Sequence, residues 1–383
     1  MIAFGTGGWR AVIGEEFTRE NVERLSLAVA RRMKAEGADA PGIAIGYDRR
    51  FLSREAARWA AEVMAAEGVR VHFIAREAPT PLIMFTVKSM DLHYGMAVTA
   101  SHNPALYNGV KLFTRGGRDA ALEVTGPLGE AASIVAREEI RSVRYEDALA
   151  AGLIAEIAPE NGYLDAILRT LDMDAIRRRN LRIVLDPMYG VSRTSLMTIL
   201  LTARCDVDVI HERHDALFGG RLPSPNAETL GALRAAVVEG RADIGIATDG
   251  DADRIGVIDG AGRFIHPNEI LVLLYDYLLR YKGLKGPAVR NLATTHLLDR
   301  VAAAFGEACY EVPVGFKHIS AAMEARGALI GGESSGGLAV RGHIPGKDGI
   351  QAAALLVEMM AVTGESLSRL TGRIYANYGE AYM

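Results

Sequence analysis

Short apolar runs rich in β-branched residues alternate along this chain with longer amphipathic segments, the pattern of sheets covered by helices. In the first third, residues 43–47 and 69–74 read as strands, and residues 54–67 between them carry an apolar stripe at helical spacing. The three segments predict a βαβ unit with a right-handed crossover. Residues 95–99 follow as a strand apolar on both faces, hence buried, which stops abruptly at Ser101-His102-Asn103-Pro104. A second cycle starts near Gly162, with a helix predicted over 163–178 and strands over 181–186 and 243–248. The turn Gly260-Ala261-Gly262, between a strand at 255–259 and the segment 263–265, marks a third cycle. That cycle holds a helix over 269–281, a strand near Val289, a helix around 297–305 and a late strand at 328–330. The expected class is α/β: three consecutive α/β domains with mixed, mostly parallel sheets, divided as 1–150, 151–260 and 261–383.

At 383 residues the chain has room for two or three domains at about 150 residues each. With 49% apolar and 23% charged residues it is not a disordered protein. The net charge of −4 provides no basic field for a nucleic acid, so any phosphate site must be local. Cys205 and Cys309 lie far apart without a CxxC pairing, which suggests neither a disulfide framework nor a zinc site and fits a reducing cytoplasm. The N-terminal residues lack a basic and apolar leader, and Asp276 or Glu358 breaks the longest apolar stretches, so neither secretion nor a membrane span is expected.

Candidate chemistry sits where strands end. In Thr99-Ala100-Ser101-His102-Asn103-Pro104 a serine just beyond a buried strand is presented on a loop, with His102 and Asn103 as hydrogen-bonding groups beside it. Ser101 is a candidate nucleophile or phosphate carrier, although the same residues also make ordinary turns. Downstream, an Asn108-Gly109 turn precedes an apolar strand interrupted by Lys111. Alternation places Lys111 opposite its apolar neighbours, pointing to solvent or into a cleft; in a desolvated cleft its pKa would fall toward the range useful for proton transfer.

Asp249-Gly250-Asp251-Ala252-Asp253-Arg254 also follows a buried strand. Three carboxylates at alternate positions can converge on one hard divalent cation, with Arg254 placed for a phosphate. An EF-hand is excluded, because its sixth and twelfth places hold Arg254 and Gly260. Gly331-Gly332-Glu333-Ser334-Ser335-Gly336-Gly337 offers a carboxylate and hydroxyls suited to sugar hydroxyls. Nearby, Gly315-Phe316-Lys317-His318 and Gly346-Lys347-Asp348-Gly349 add cations. Gly5-Thr6-Gly7-Gly8-Trp9-Arg10 presents an arginine after a glycine-rich run that matches neither a Walker A loop nor a GxGxxG turn.

In this order and composition the motifs resemble the α-D-phosphohexomutase superfamily, the phosphoglucomutase/phosphomannomutase enzymes, over nearly the whole chain from Gly5 to Gly349. The resemblance implies domains set around a central cleft, with Ser101 carried as phosphoserine. It implies that Asp249, Asp251 and Asp253 hold Mg²⁺ against that phosphate, so that Ser101 completes the metal site. It casts Lys111 as general acid/base with His102 beside the nucleophile, Arg254 beside the phosphate, and Arg10 as the active-site, substrate-binding arginine of the N-terminal motif. Glu333 and Ser335 then fall in the sugar-recognition loop, Val314 and Gly315 in a specificity loop, and Lys317 and Lys347 among substrate-binding cations. The implied reaction interconverts a hexose 1-phosphate and a hexose 6-phosphate through a bisphosphate, glucose 1,6-bisphosphate for the favoured glucose phosphates. Mannose phosphate is the nearest alternative, followed by a magnesium-dependent sugar phosphatase or a sugar-phosphate-binding protein. Family members usually carry a fourth domain with a Ser-Gly-Thr loop; no such motif follows Lys347, so weak turnover by residues 1–383 is expected.

Overall fold

The apolar run at 43–47 becomes a strand buried at every position, Ile43–Tyr47, flanked in parallel by Val71–Ile74 and Tyr94–Val98. This is the predicted βαβ unit, with the helix Ser53–Ala66 as its crossover. The computed structural model describes residues 2–5, 7–38, 40 and 42–380. The chain divides into two units: Met1–Asn161 with His214–Leu222, and Gly162–Arg213 with Pro223–Met383.

The first unit is built on an eight-stranded sheet. Its order is Phe4–Gly5, Gly8–Val12, Tyr107–Thr114, Tyr94–Val98, Ile43–Tyr47, Val71–Ile74 and Ile154–Ile157, with Arg118–Asp119 beside Tyr107–Thr114. Only the strands from Tyr94–Val98 to Ile154–Ile157 are parallel. The sheet is therefore more evenly mixed than the expected mostly parallel arrangement. Tyr94–Val98 and Tyr107–Thr114 are joined by a short loop, too short for a parallel crossover, so they pair antiparallel. The predicted Asn108-Gly109 turn lies inside this strand, and the reversal falls at the Ser101 loop instead. One face of the sheet presents Ile43, Ile45, Met96 and Val98 to the alanines 56, 57, 60 and 61 of the helix Ser53–Ala66. The other face receives the helix Thr80–Ser89 closely enough that a Cβ on Gly46 would stand 2.6 Å from Ile83 Cδ1. Trp9, 1% exposed, packs at a tilt against Phe17, ring centroids 5.6 Å apart, and pins the N-terminal strand; burying such a ring contributes roughly 2–3 kcal/mol.

The second unit carries two sheets. One runs Asp206–Val209, Arg182–Asp186, Ile244–Thr248, Ile255–Asp259, Phe264–Ile265, and the other Cys309–Val312, Ala288–Asn291, Ile330–Gly332, Leu338–Val340. In each a parallel run ends antiparallel, through two strands in the first sheet and one in the second. The helix expected over 163–178 is two helices, Glu160–Leu168 and Met173–Arg179. Asp172 makes the break: its carboxylate accepts the Ala175 N–H at 2.8 Å, while its own N–H goes to buried Glu358 at 2.5 Å. The strand expected at 328–330 instead spans Ile330–Gly332. Its glycines read as loop, yet a Cβ on Gly331 would meet Met323 Sδ at 2.5 Å, so the strand needs them. Cys205 and Cys309 are unbridged, and burial pushes their thiols up to about 11 and about 12. Among the described residues no single helix is long and apolar enough to cross a membrane.

Candidate active site

Ser101 sits in the first turn after Tyr94–Val98 in the left-handed region, φ 52°, and is 1% exposed. A non-glycine residue held there costs roughly 1–3 kcal/mol and persists only where its surroundings over-determine it. Here they do. The Ser101 N–H donates to Thr99 Oγ1 at 2.8 Å, and the Thr99 hydroxyl donates to Asp48 Oδ2 at 2.6 Å. Arg50 donates to the carbonyls of Ser101 and Asn103, both at 2.6 Å, and to those of Pro104 and Tyr107 at 2.9 and 3.0 Å. Asp48 also accepts from Ser53 Oγ and the Arg50 N–H and lies 3.5 Å from Arg50 Nε. Burial pushes the Asp48 carboxyl up, while Arg50 and the three hydrogen-bond donors pull it back.

Around the serine, His102 Nδ1 lies 3.3 Å from Ser101 Oγ. Arg10, on the strand Gly8–Val12, donates to Asn103 Oδ1 at 2.6 Å. Gly8 pairs beside the Lys111 position, since Trp9 faces Val110 and Arg10 faces Gly109 in register, so Arg10 and Lys111 point to the same face. Lys111 is buried, which removes the solvated alternative. Ser101, His102, Asn103, Arg10 and Lys111 therefore all belong to one end of one sheet. Thr6 of the N-terminal motif lies outside the described residues.

In the second unit, the 249–254 loop follows the buried strand Ile244–Thr248. Asp249, Asp251 and Asp253 are at most 1% exposed, and one carboxylate oxygen from each lies within 4.8 Å of the others. Ala252, at φ 63°, folds the loop back so that its N–H donates to the Asp249 carbonyl at 3.0 Å, and the Arg254 N–H reaches Asp249 Oδ1 at 3.0 Å. Lys347 Nζ lies 3.0 Å from Asp253 Oδ2, and Arg254 Nε 3.9 Å from Asp253 Oδ1. Three buried hard-oxygen donors on one short loop match the chemistry of a magnesium site. The loop is also tied to the glycine-rich loop, because the Ile255 N–H donates to the Gly336 carbonyl at 3.1 Å and Gly349 to that of Ala252 at 3.1 Å.

Glu333 is buried and joins two predicted loops. Its Oε1 accepts from Asn291 Nδ2 at 3.0 Å and from the Gly315 N–H at 3.2 Å, and Ser335 Oγ donates to Oε2 at 3.4 Å. Ser335 and Val314 are exposed and Lys317 is half-buried on the first turn of the helix Phe316–Arg326. Lys347 also lies 5.8 Å from the Phe316 ring centroid. Within this unit the 249–254 loop, Glu333, the Gly315 turn and Lys347 thus form one connected group. Asp348 caps the helix Gly349–Thr363 and accepts from Tyr163 Oη at 2.9 Å, with His343 Nε2 2.9 Å away.

Sequence reasoning missed Asp48, Arg50, Asn291 and Tyr163. The first two had a signal, a Tyr47-Asp48-Arg49-Arg50 run directly after a buried strand; the others had none.

Sequence models of three domains of one family match this chain. "Phosphoglucomutase/phosphomannomutase, alpha/beta/alpha domain I" covers residues 1–132, domain II covers 161–262 and domain III covers 266–378. A phosphoglucomutase/phosphomannomutase of Thermococcus kodakarensis is 31% identical over 98% of this chain and 80% of its own length. A phosphoglucosamine mutase of Synechococcus elongatus is 30% identical over 98% of this chain and 78% of its own. A solved structure from Thermus thermophilus, described provisionally as a phosphomannomutase, superposes with a TM-score of 0.90 at 34% identity, covering 99% of this chain and 84% of that one.

Proposed function

This chain belongs to the phosphoglucomutase/phosphomannomutase family, and from that premise we propose that it interconverts hexose 1-phosphate and hexose 6-phosphate by carrying the phosphoryl group on Ser101. The observation that carries the proposal is the Ser101 turn: a buried hydroxyl in a left-handed backbone, fixed from below by Arg50 and Thr99, on the same sheet end as Arg10 and Lys111. In the first half-reaction a sugar hydroxyl attacks phosphorus, the bond from phosphorus to Ser101 Oγ breaks, and a hexose bisphosphate forms. In the second, Ser101 Oγ attacks the other phosphate and the isomer is released.

Lys111 takes the sugar hydroxyl proton in one half and returns it in the other. His102 orients Ser101 Oγ, and Arg10 and Arg254 bind phosphate oxygens. Glu333, Ser335, Val314, Gly315, Lys317 and Lys347 hold the sugar and its distal phosphate. Asp249, Asp251 and Asp253 would hold Mg²⁺, which would neutralise charge on a transferring phosphoryl group. The functional division follows as 1–150 for phosphate carriage, 151–260 for metal and 261–383 for sugar.

Glucose phosphate is the favoured substrate and mannose phosphate the second; the glucosamine-directed relative makes glucosamine phosphate the third sugar to assay. Intact mass before and after incubation with glucose 1,6-bisphosphate and Mg²⁺ tests the central step. The expected result is a phosphate-sized increase, absent in Ser101→Ala, together with isomerisation. Isomerisation preserved in Ser101→Ala would overturn the reading, and inorganic phosphate as the sole product would convert it to a phosphatase.

A further inference from the structure

The reaction above makes no use of the segment His214–Leu222, which belongs to the first unit although its chain neighbours on both sides belong to the second. Phe218 is its single deeply buried side chain, 1% exposed, beside Leu217 at 66%. The Phe218 backbone is in the left-handed region, φ 52°, and Asp215 holds the turn around it. The Asp215 carbonyl accepts the Phe218 N–H at 3.0 Å, and its carboxylate accepts those of Leu217 and Gly219 at 2.9 and 3.2 Å. His214 Nδ1 lies 3.4 Å from Glu77 Oε1. A strained, well-anchored turn thus delivers one aromatic ring, and that ring lies 4.8 Å from the Arg50 guanidinium carbon.

Arg50 is the group that grips the carbonyls of Ser101, Asn103, Pro104 and Tyr107. Guanidinium donors point outward in one plane, so the plane's tilt decides whether four separately placed carbonyls can be met at once. In-plane contacts fix rotation within that plane. A ring packed over the guanidinium fixes the tilt, and cation–π attraction holds it there. We propose that Phe218 is a positioning residue for phosphoryl transfer, acting through Arg50 to keep Ser101 in its attacking geometry. The inference rests on Ser101 as the phosphate carrier. It explains why the turn accepts backbone strain at Phe218 to place an aromatic residue, where a leucine would fill similar volume without a π face.

The test uses the full chain with Mg²⁺ and compares Phe218→Leu, Phe218→Trp and Arg50→Lys. It measures the rate at which phosphate from glucose 1,6-bisphosphate appears on Ser101, the steady-state kcat and KM, and Tm. For Phe218→Leu the expected result is a fall of about tenfold in transfer rate and kcat, within the range of one desolvated cation–π contact, with KM for the hexose phosphate unchanged. Phe218→Trp, which restores a ring, should recover most of that loss. Arg50→Lys keeps the charge but loses the fork and should cost about 100-fold in transfer rate, the scale of a misplaced reacting group.

A Phe218→Leu protein with wild-type kcat overturns the proposal, as does equal impairment in the leucine and tryptophan variants, which would mark loss of fit rather than of the ring. If Phe218→Leu does not fold, wild-type transfer by Arg50→Lys overturns the proposal, and transfer lost in Arg50→Lys but kept in Phe218→Trp supports it. Failure of the underlying reading is separate: isomerisation that survives Ser101→Ala removes the phosphate carrier, whereas a wild-type Phe218→Leu in an enzyme that needs Ser101 removes only the positioning role.

Discussion

The loop at Ser101 and the loop at 249–254 begin alike and are stabilised in opposite ways. Each follows a fully buried strand, and each bends through a non-glycine residue with positive φ, Ser101 at 52° and Ala252 at 63°. Beneath Ser101, negative Asp48 and positive Arg50 face one another with hydroxyl and backbone donors filling in, so charge cancels within the protein. At 249–254, one oxygen from each of three buried carboxylates gathers within 4.8 Å, and Lys347 and Arg254 approach Asp253. The first loop is shaped before any ligand arrives. The second gathers three like charges on one short loop, where a divalent cation would relieve their repulsion.

Removing a carboxylate should therefore have opposite effects in the two places. Asp48→Ala leaves the Arg50 guanidinium buried against a vacant acceptor, and losing one partner of a buried pair costs about 3–5 kcal/mol. By calorimetry Tm should fall by roughly 10 °C; a change under about 2 °C would mean that the pair does not hold the loop. Adding Mg²⁺ at about 100 times its Kd should stabilise the wild type by about 2.7 kcal/mol, a rise of several degrees that Asp251→Asn largely abolishes. An equal rise in both proteins would place the cation elsewhere.

In metal-free protein Asp251→Asn should itself be stabilising, by about 1 kcal/mol, because it removes one of three mutually repelling charges. Chemical denaturation in the presence of a chelator reads that sign, and destabilisation would mean that the loop's charges are already balanced. The smallest effect is at His266, which caps the helix Pro267–Arg280 of the second unit by accepting the Asn268 N–H on Nδ1 at 3.1 Å. Burial holds its pKa below 6.5, with Glu269 pulling the other way. The unfolded chain therefore binds this proton more readily, so the contribution is present above pH 6.5 and is lost as pH falls through the lower folded value. Between pH 7.5 and 5.5, His266→Asn should reduce the acid loss of Tm by about 1–2 °C; identical slopes would remove His266 from the acid response.

What was legible in the sequence follows from the same physics. Strands such as Ile43–Tyr47 and Ile244–Thr248 are buried on both faces, so they show as unbroken apolar runs whose ends match the expected spans to within a residue. The Asp triplet and the Ser101 hexapeptide were visible because their chemistry is contiguous. The break at Asp172 was hidden because its N–H partner, Glu358, lies far along the chain. Phe218 was hidden because a phenylalanine in a loop carries no mark of the guanidinium it covers. Glycines misled at Ile330–Gly332, where they admit a neighbouring helix rather than loosen a loop.

The interleaving of His214–Leu222 with Met1–Asn161 bears on how the molecule can be taken apart. A gene fragment that stops at Asn161 would encode the whole eight-stranded sheet yet lack the ring over Arg50, exposing apolar surface and a buried cation to water. Dissection at the obvious seam would yield a sticky, slack piece. A soluble stand-alone version calls for grafting those nine residues back through an engineered linker.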